Sequence, residues 1–115
     1  MSTAVANASP LIAMSNVHLH GLLKEVFAEV IVPDAVWREV VLEGAGRPGA
    51  RECRQAARQG WLLRRSPTDK ALVAQLLRSV GPGESEAIAL ALETAADWAL
   101  LDDPKARAEA RRLGV

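Results

Sequence analysis

The side chains best suited to chemistry in this sequence are acidic, and they recur in short groups. Glu39 and Glu43 stand four residues apart, Glu84 and Glu86 two apart, and Asp102 and Asp103 adjoin, while Asn7 adds a neutral oxygen donor near the start. Carboxylates that converge repel one another unless a cation neutralises them. Their hard oxygens suit Mg²⁺ or Mn²⁺, and Mg²⁺ keeps several of its waters. A water made acidic by such an ion can attack a phosphodiester while the ion steadies the phosphoryl oxygens. The chemistry on offer is that of a metal-dependent nuclease. The single cysteine, Cys53, can form no internal disulfide, and no Cys/His spacing suggests zinc.

Whether these acids meet depends on the elements that carry them. Thr3–Ala6, Val30-Ile31-Val32, Trp61-Leu62-Leu63 and Trp98 to Leu101 read as short apolar strands. Helical patterns separate them. The first runs from Ser9-Pro10 to about Val26 with Gly21 as an internal break. Others cover Asp34 to Leu42 (Val36, Trp37, Val40 and Val41 on one face) and Ala50 to Gln59, closed by Gly60. Ser66 or Thr68 caps a helix to about Ser79 with Leu72, Val73, Leu76 and Leu77 inward, and Glu84 to Ala95 forms a buried helix. A last helix starts at Pro104 behind Asp102 or Asp103 and ends at Gly114. Strands alternating with helices predict a single α/β domain over residues 1–115. It has three layers, α/β/α, around a central parallel sheet of about four strands.

In open parallel sheets, ligands bind beyond the carboxyl ends of the strands. Asn7 follows the first strand, Glu39 lies on the helix after the second, Glu84 opens the buried helix, and Asp102-Asp103 follow the fourth. A competing explanation exists for each acid taken singly. Asp and Glu in a helix's first turn offset its dipole, and Glu84, Glu86, Asp102 and Asp103 all occupy such places.

Four blocks in order resemble the PIN domain. They are Asn7-Ala8-Ser9-Pro10-Leu11-Ile12; Val30-Ile31-Val32-Pro33 with Val36 and Glu39; Gly83 to Ala91; and Leu100-Leu101-Asp102-Asp103 with Arg107, Ala110 and Leu113-Gly114. Within it, the chain is most similar to predicted nucleic-acid-binding PIN proteins related to VapC-type toxins of bacterial toxin–antitoxin pairs. The resemblance implies an endoribonuclease whose carboxylates hold Mg²⁺ or Mn²⁺. It implies a metal-binding set of Asn7, Glu39, Glu84, and Asp102 or Asp103, with Glu86 in reserve. Glu39, Glu84 and the Asp102-Asp103 pair would carry catalysis. RNA contact is expected at Ser9, Arg64, Arg65 and Arg107, and an antitoxin protein and a homodimer are the expected partners.

Two departures from the family pattern stand out. Asn7 is neutral where many PIN domains place an aspartate, so it offers a carbonyl oxygen but no charge. The sequence ends at Val115, about where the family begins another strand and closing helix, so a truncated domain is expected. A catalytically degenerate module that binds RNA or a protein partner is the alternative these departures suggest.

Composition narrows the remaining classes. The 115 residues suffice for one core but not for two, and fourteen basic residues cancel fourteen acidic ones, so no overall attraction to nucleic acid is indicated. No apolar run reaches membrane-spanning length and the N-terminus lacks a secretory signal, which predicts a cytoplasmic protein. His18 and His20 read as helix-junction residues, and Trp37, Trp61 and Trp98 as core anchors.

Overall fold

The computed structural model describes residues 2–17 and 21–115; His18 and His20 lie outside the described residues. The elements follow the order β1 (Thr3–Ala6), α1 (Ala8–Asn16), α2 (Gly21–Val26), β2 (Glu29–Pro33), α3 (Asp34–Trp37), α4 (Ala50–Gln59), β3 (Leu62–Arg65), α5 (Lys70–Leu76), α6 (Pro82–Glu93), β4 (Trp98–Leu100) and α7 (Pro104–Arg112). The four strands form one parallel sheet in the order β3-β2-β1-β4, with Val5 opposite Ile31 on one side and Ala99 on the other. The carboxyl ends of all four strands therefore open on one edge.

Alternation along the strands separates two cores. Ala4, Ala6, Val30, Val32 and Leu62 face a layer built from α1, α2, α3 and α4. Val5, Ile31 and Ala99 face the opposite layer, where Leu76, Ala87, Ile88, Leu90, Ala91, Ala106 and Ala110 pack. Each aliphatic side chain removed from water contributes about 1.5–3 kcal/mol. The alanines of α6 are buried where α6 crosses β1 and β2, with Val5 and Ile31 facing it. The low side-chain bulk of α6, with glycine at position 83, permits close approach, which brings the start of α6 down onto the end of β1.

Several local expectations are corrected. The helix after β2 keeps α-geometry only over Asp34–Trp37 and continues as a π-helical segment, Arg38–Glu43. The helix expected from Ser66 or Thr68 begins later: Asp69 accepts a hydrogen bond from the Leu72 N–H at 3.0 Å, and the helix ends at Leu76. Glu93 accepts from the N–H groups of Thr68 and Asp69 at 2.8 and 2.7 Å, which ties the segment before this helix to the end of α6. Burial raises the Glu93 carboxyl, but those two N–H groups, the Thr68 side chain and Lys70 together hold it below the ordinary range. Of the residues expected inward on this helix, Leu77 is exposed. Ala95, expected as the last residue of the buried helix, lies past its end with φ 51 and is exposed. Trp98 is 57% exposed rather than a core anchor, because β4 pairs only with β1 among the described residues and its outer flank is open. Trp61 is buried and Trp37 half-buried.

Candidate metal and nuclease site

Asn7 stands at the N-cap of α1, where an asparagine side chain ordinarily accepts from its own helix's N–H groups. It does not do so here: the residue is extended (φ -83, ψ 174) and makes no side-chain cap bond. Its amide nitrogen instead donates to Glu84 Oε1 at 3.0 Å, across 77 residues of sequence. Its backbone N–H donates to the Leu100 carbonyl at 3.1 Å, which ties the end of β1 to the end of β4. The amide is buried, 4% exposed, so its orientation is set by packing.

Two glycines make room for this pairing. A Cβ at Gly83 would stand 2.8 Å from Asn7 Oδ1 and 3.2 Å from Val36 Cγ2. A Cβ at Gly81 would stand 2.5 Å from Glu84 Oε2. Both closest distances are shorter than real Cβ contacts allow, so Gly-Pro-Gly before Glu84 is more than the turn its composition suggests. Pro82 takes the first helical position of α6, where a missing N–H costs nothing.

Glu39, the second residue of the π-helical segment, completes the group. Burial raises its carboxyl above the ordinary value, and the charges of Glu84 and Glu43 raise it further. An acid raised by folding binds its proton more tightly in the folded state, so stability falls as pH rises through its titration range. Glu39→Gln is therefore expected to stabilise the metal-free protein at neutral pH by under about 1 kcal/mol, the scale of exposed charge effects. That gain should vanish below the ordinary carboxylate range. Thermal unfolding of both proteins across pH checks it, and a gain that persists in acid contradicts the assignment.

The other acids take different roles. Asp103 Oδ2 accepts from the Ala106 N–H at 3.1 Å and caps α7. Asp103→Ala should cost about 1 kcal/mol by chemical denaturation, with Asn largely restoring it; equal stability of the alanine variant would argue against the cap. Glu86 Oε1 accepts from the Ala35 N–H at 3.0 Å and so points to the start of α3. Asp102 is exposed on the segment after β4 and lines a groove of about 420 Å³ with Ser9, Pro10, Leu100, Leu101 and Arg107.

The arginines sit at the same edge with partners of their own. Arg64 Nε donates to Asp34 Oδ1 at 2.6 Å, and the guanidinium lies 5.7 Å above the Trp37 ring centre. Arg65 donates to the Arg64 carbonyl at 3.0 Å, and Arg107 Nε to the Leu101 carbonyl at 2.8 Å. Asp34, which also holds Arg38 at 3.1 Å, was not singled out by the sequence. Its only signal there is its place directly after a strand-ending proline.

No group of three His, Cys, Asp or Glu side chains among the described residues is gathered as a metal site. The donors present nevertheless suit a hard divalent ion in kind, since Mg²⁺ is commonly held through one or two carboxylates with water filling the rest. Glu39 and Glu84 provide two mutually repelling carboxylates, and Asn7 a neutral oxygen beside them. Such an ion would supply an acidified water and charge for a phosphoryl group. Glu84 would anchor it, Glu39 would gain from it the neutralisation it lacks, and the Asn7 amide would keep Glu84 turned to the site.

A family model described as a PIN domain (DUF3368) matches residues 3–115. No curated protein and no solved structure matches the chain. PIN domains are typically nucleases and generally use divalent metals. No helix among the described residues is long and apolar enough to cross a membrane. A match over nearly the whole chain agrees with the four-stranded parallel sheet, and on that ground the chain belongs to the PIN-domain family.

Proposed function

We propose that this protein is a Mg²⁺- or Mn²⁺-dependent endoribonuclease of VapC type, the toxin-like member of a toxin–antitoxin pair. The observation that carries the reading is the withdrawal of Asn7 from helix capping to hold Glu84, beside a Glu39 whose proton affinity Glu84 raises. An asparagine capping its own helix would not make that contact. Ser9, Asp102 and Arg107 line the adjoining groove, and Arg64 and Arg65 end β3, so RNA phosphates approaching the acids would meet basic side chains at the rim. An antitoxin that masks the site, a homodimer and a cytoplasmic location belong to the same reading.

Purified protein should cut RNA internally when Mn²⁺ is added, and excess EDTA should stop it. Cleavage that continues in EDTA contradicts the mechanism.

A second reading has its own support. With Asn7 neutral and no three-acid cluster among the described residues, the domain could serve as a non-catalytic module that binds RNA or a protein. Calorimetry separates the two, since RNA binding without Mg²⁺ or Mn²⁺ binding favours the module.

A further inference from the structure

We propose that Glu86 is a positioning residue that fixes the helix carrying Glu39 against the helix carrying Glu84, and is not a reserve metal ligand. The inference rests on the nuclease reading of the same site, because it concerns how that site's two carboxylates are set apart.

Successive residues of a helix turn by about 100°, so Glu84 and Glu86 leave α6 on nearly opposite sides. They have different targets accordingly. Glu84 receives the Asn7 amide, and Glu86 receives the backbone N–H of Ala35 at 3.0 Å. That N–H belongs to the first turn of α3, whose donors have no partners within the helix. The N-cap residue there is Pro33, and it makes no side-chain cap bond. Glu86 therefore provides from another helix the acceptor that the local sequence lacks. The bond is charge-assisted, and its carboxylate meets the positive end of the helix. From Ala35 the helix runs on through Trp37 into the π-helical segment that bears Glu39. One side chain thus couples the first turn of α6, where Glu84 sits, to the start of the helix on which Glu39 sits.

The two roles predict opposite results for one conservative change. Gln keeps a carbonyl oxygen that can accept the Ala35 N–H but has no charge to offer a metal. In Glu86→Gln, Mn²⁺ affinity measured by electron paramagnetic resonance should stay within about threefold of the parent, since the acceptor geometry that positions Glu39 is kept. Ala35 amide exchange measured by NMR should stay slow. In Glu86→Ala, Ala35 exchange should quicken roughly tenfold, as for loss of one hydrogen bond to a charged acceptor. Mn²⁺ affinity should then fall roughly 10- to 100-fold, as when the support of a metal ligand is removed.

Loss of Mn²⁺ affinity in Glu86→Gln equal to that in Glu86→Ala, with Ala35 still protected, would make Glu86 a ligand and overturn the proposal. Unchanged exchange and affinity in Glu86→Ala would overturn it as well. If Glu86→Ala does not fold, Glu86→Gln against the parent decides alone. A parent protein that binds no Mn²⁺ overturns the nuclease reading instead, and Ala35 exchange then still decides whether Glu86 holds α3.

Discussion

Glu84→Gln is expected to abolish metal-dependent RNA cleavage while leaving the fold intact. The side chain keeps its shape, and its carbonyl oxygen can still accept the Asn7 amide at the 3.0 Å position, so the tie between β1 and α6 survives. What goes is the charge. A divalent ion loses one of two carboxylates, and losses should exceed the roughly 10- to 100-fold typical of a ligand's supporting partners. A drop in cleavage and in Mn²⁺ affinity of at least about 100-fold is therefore expected. The same change removes a negative charge that raises the Glu39 carboxyl, so the titration of Glu39 should move down toward the ordinary range. The melting temperature in EDTA should hold or rise, since a repulsion has been removed. Cleavage equal to that of the parent would rule Glu84 out of the reaction.

Gly83→Ala is the second large effect, and helix propensity alone predicts the wrong sign. Gly83 is the second residue of α6, where alanine is ordinarily better by up to about 1 kcal/mol. Here the added Cβ meets Asn7 Oδ1 at 2.8 Å and Val36 Cγ2 at 3.2 Å, in a place where Gly83 and Asn7 are both buried. Overpacking of a filled interior costs about 1–3 kcal/mol, so the two terms leave a net loss of roughly 1 kcal/mol. The functional loss should be larger than the stability loss. Asn7 must swing to clear the methyl group, and its bond to Glu84 breaks as it does. The expected outcome is a folded protein, slightly less stable in urea, with Mn²⁺ affinity and cleavage both reduced at least about tenfold. A variant that is more stable and fully active would mean that the close approach of α6 to β1 does not govern the site.

These two residues also show what was legible beforehand. Glu84 could be read from the acid groups because a helix start after a Gly-Pro-Gly turn has a defined place at a sheet's carboxyl edge. The reason Gly83 is glycine could not be read, because it lies in the contact with Asn7 and Val36, far away in sequence. Asn7, Glu86 and Asp103 present the same contrast. Sequence alone left a helix-end role and metal binding open for Glu86 and Asp103, and placed Asn7 among the metal-binding positions. The fold resolves them differently: Asp103 caps its own helix, Glu86 caps another, and Asn7 caps none.

Sequence alone determined the α/β alternation, the presence of four strands and the grouping of acids after them, though β3 runs on past the apolar Trp61-Leu62-Leu63 through Arg64 and Arg65. These are properties of short windows: residue spacing, turn formers and the polarity of strand cores. Tertiary structure alone decided the strand order β3-β2-β1-β4, the open flank that exposes Trp98, and the pairing of Asn7 with Glu84. It also gave the acids different partners, since the packing of α6 on β1 and α3 sets which N–H, amide or charge each carboxylate meets. That packing is set by the summed bulk of residues on several elements, which no single window contains.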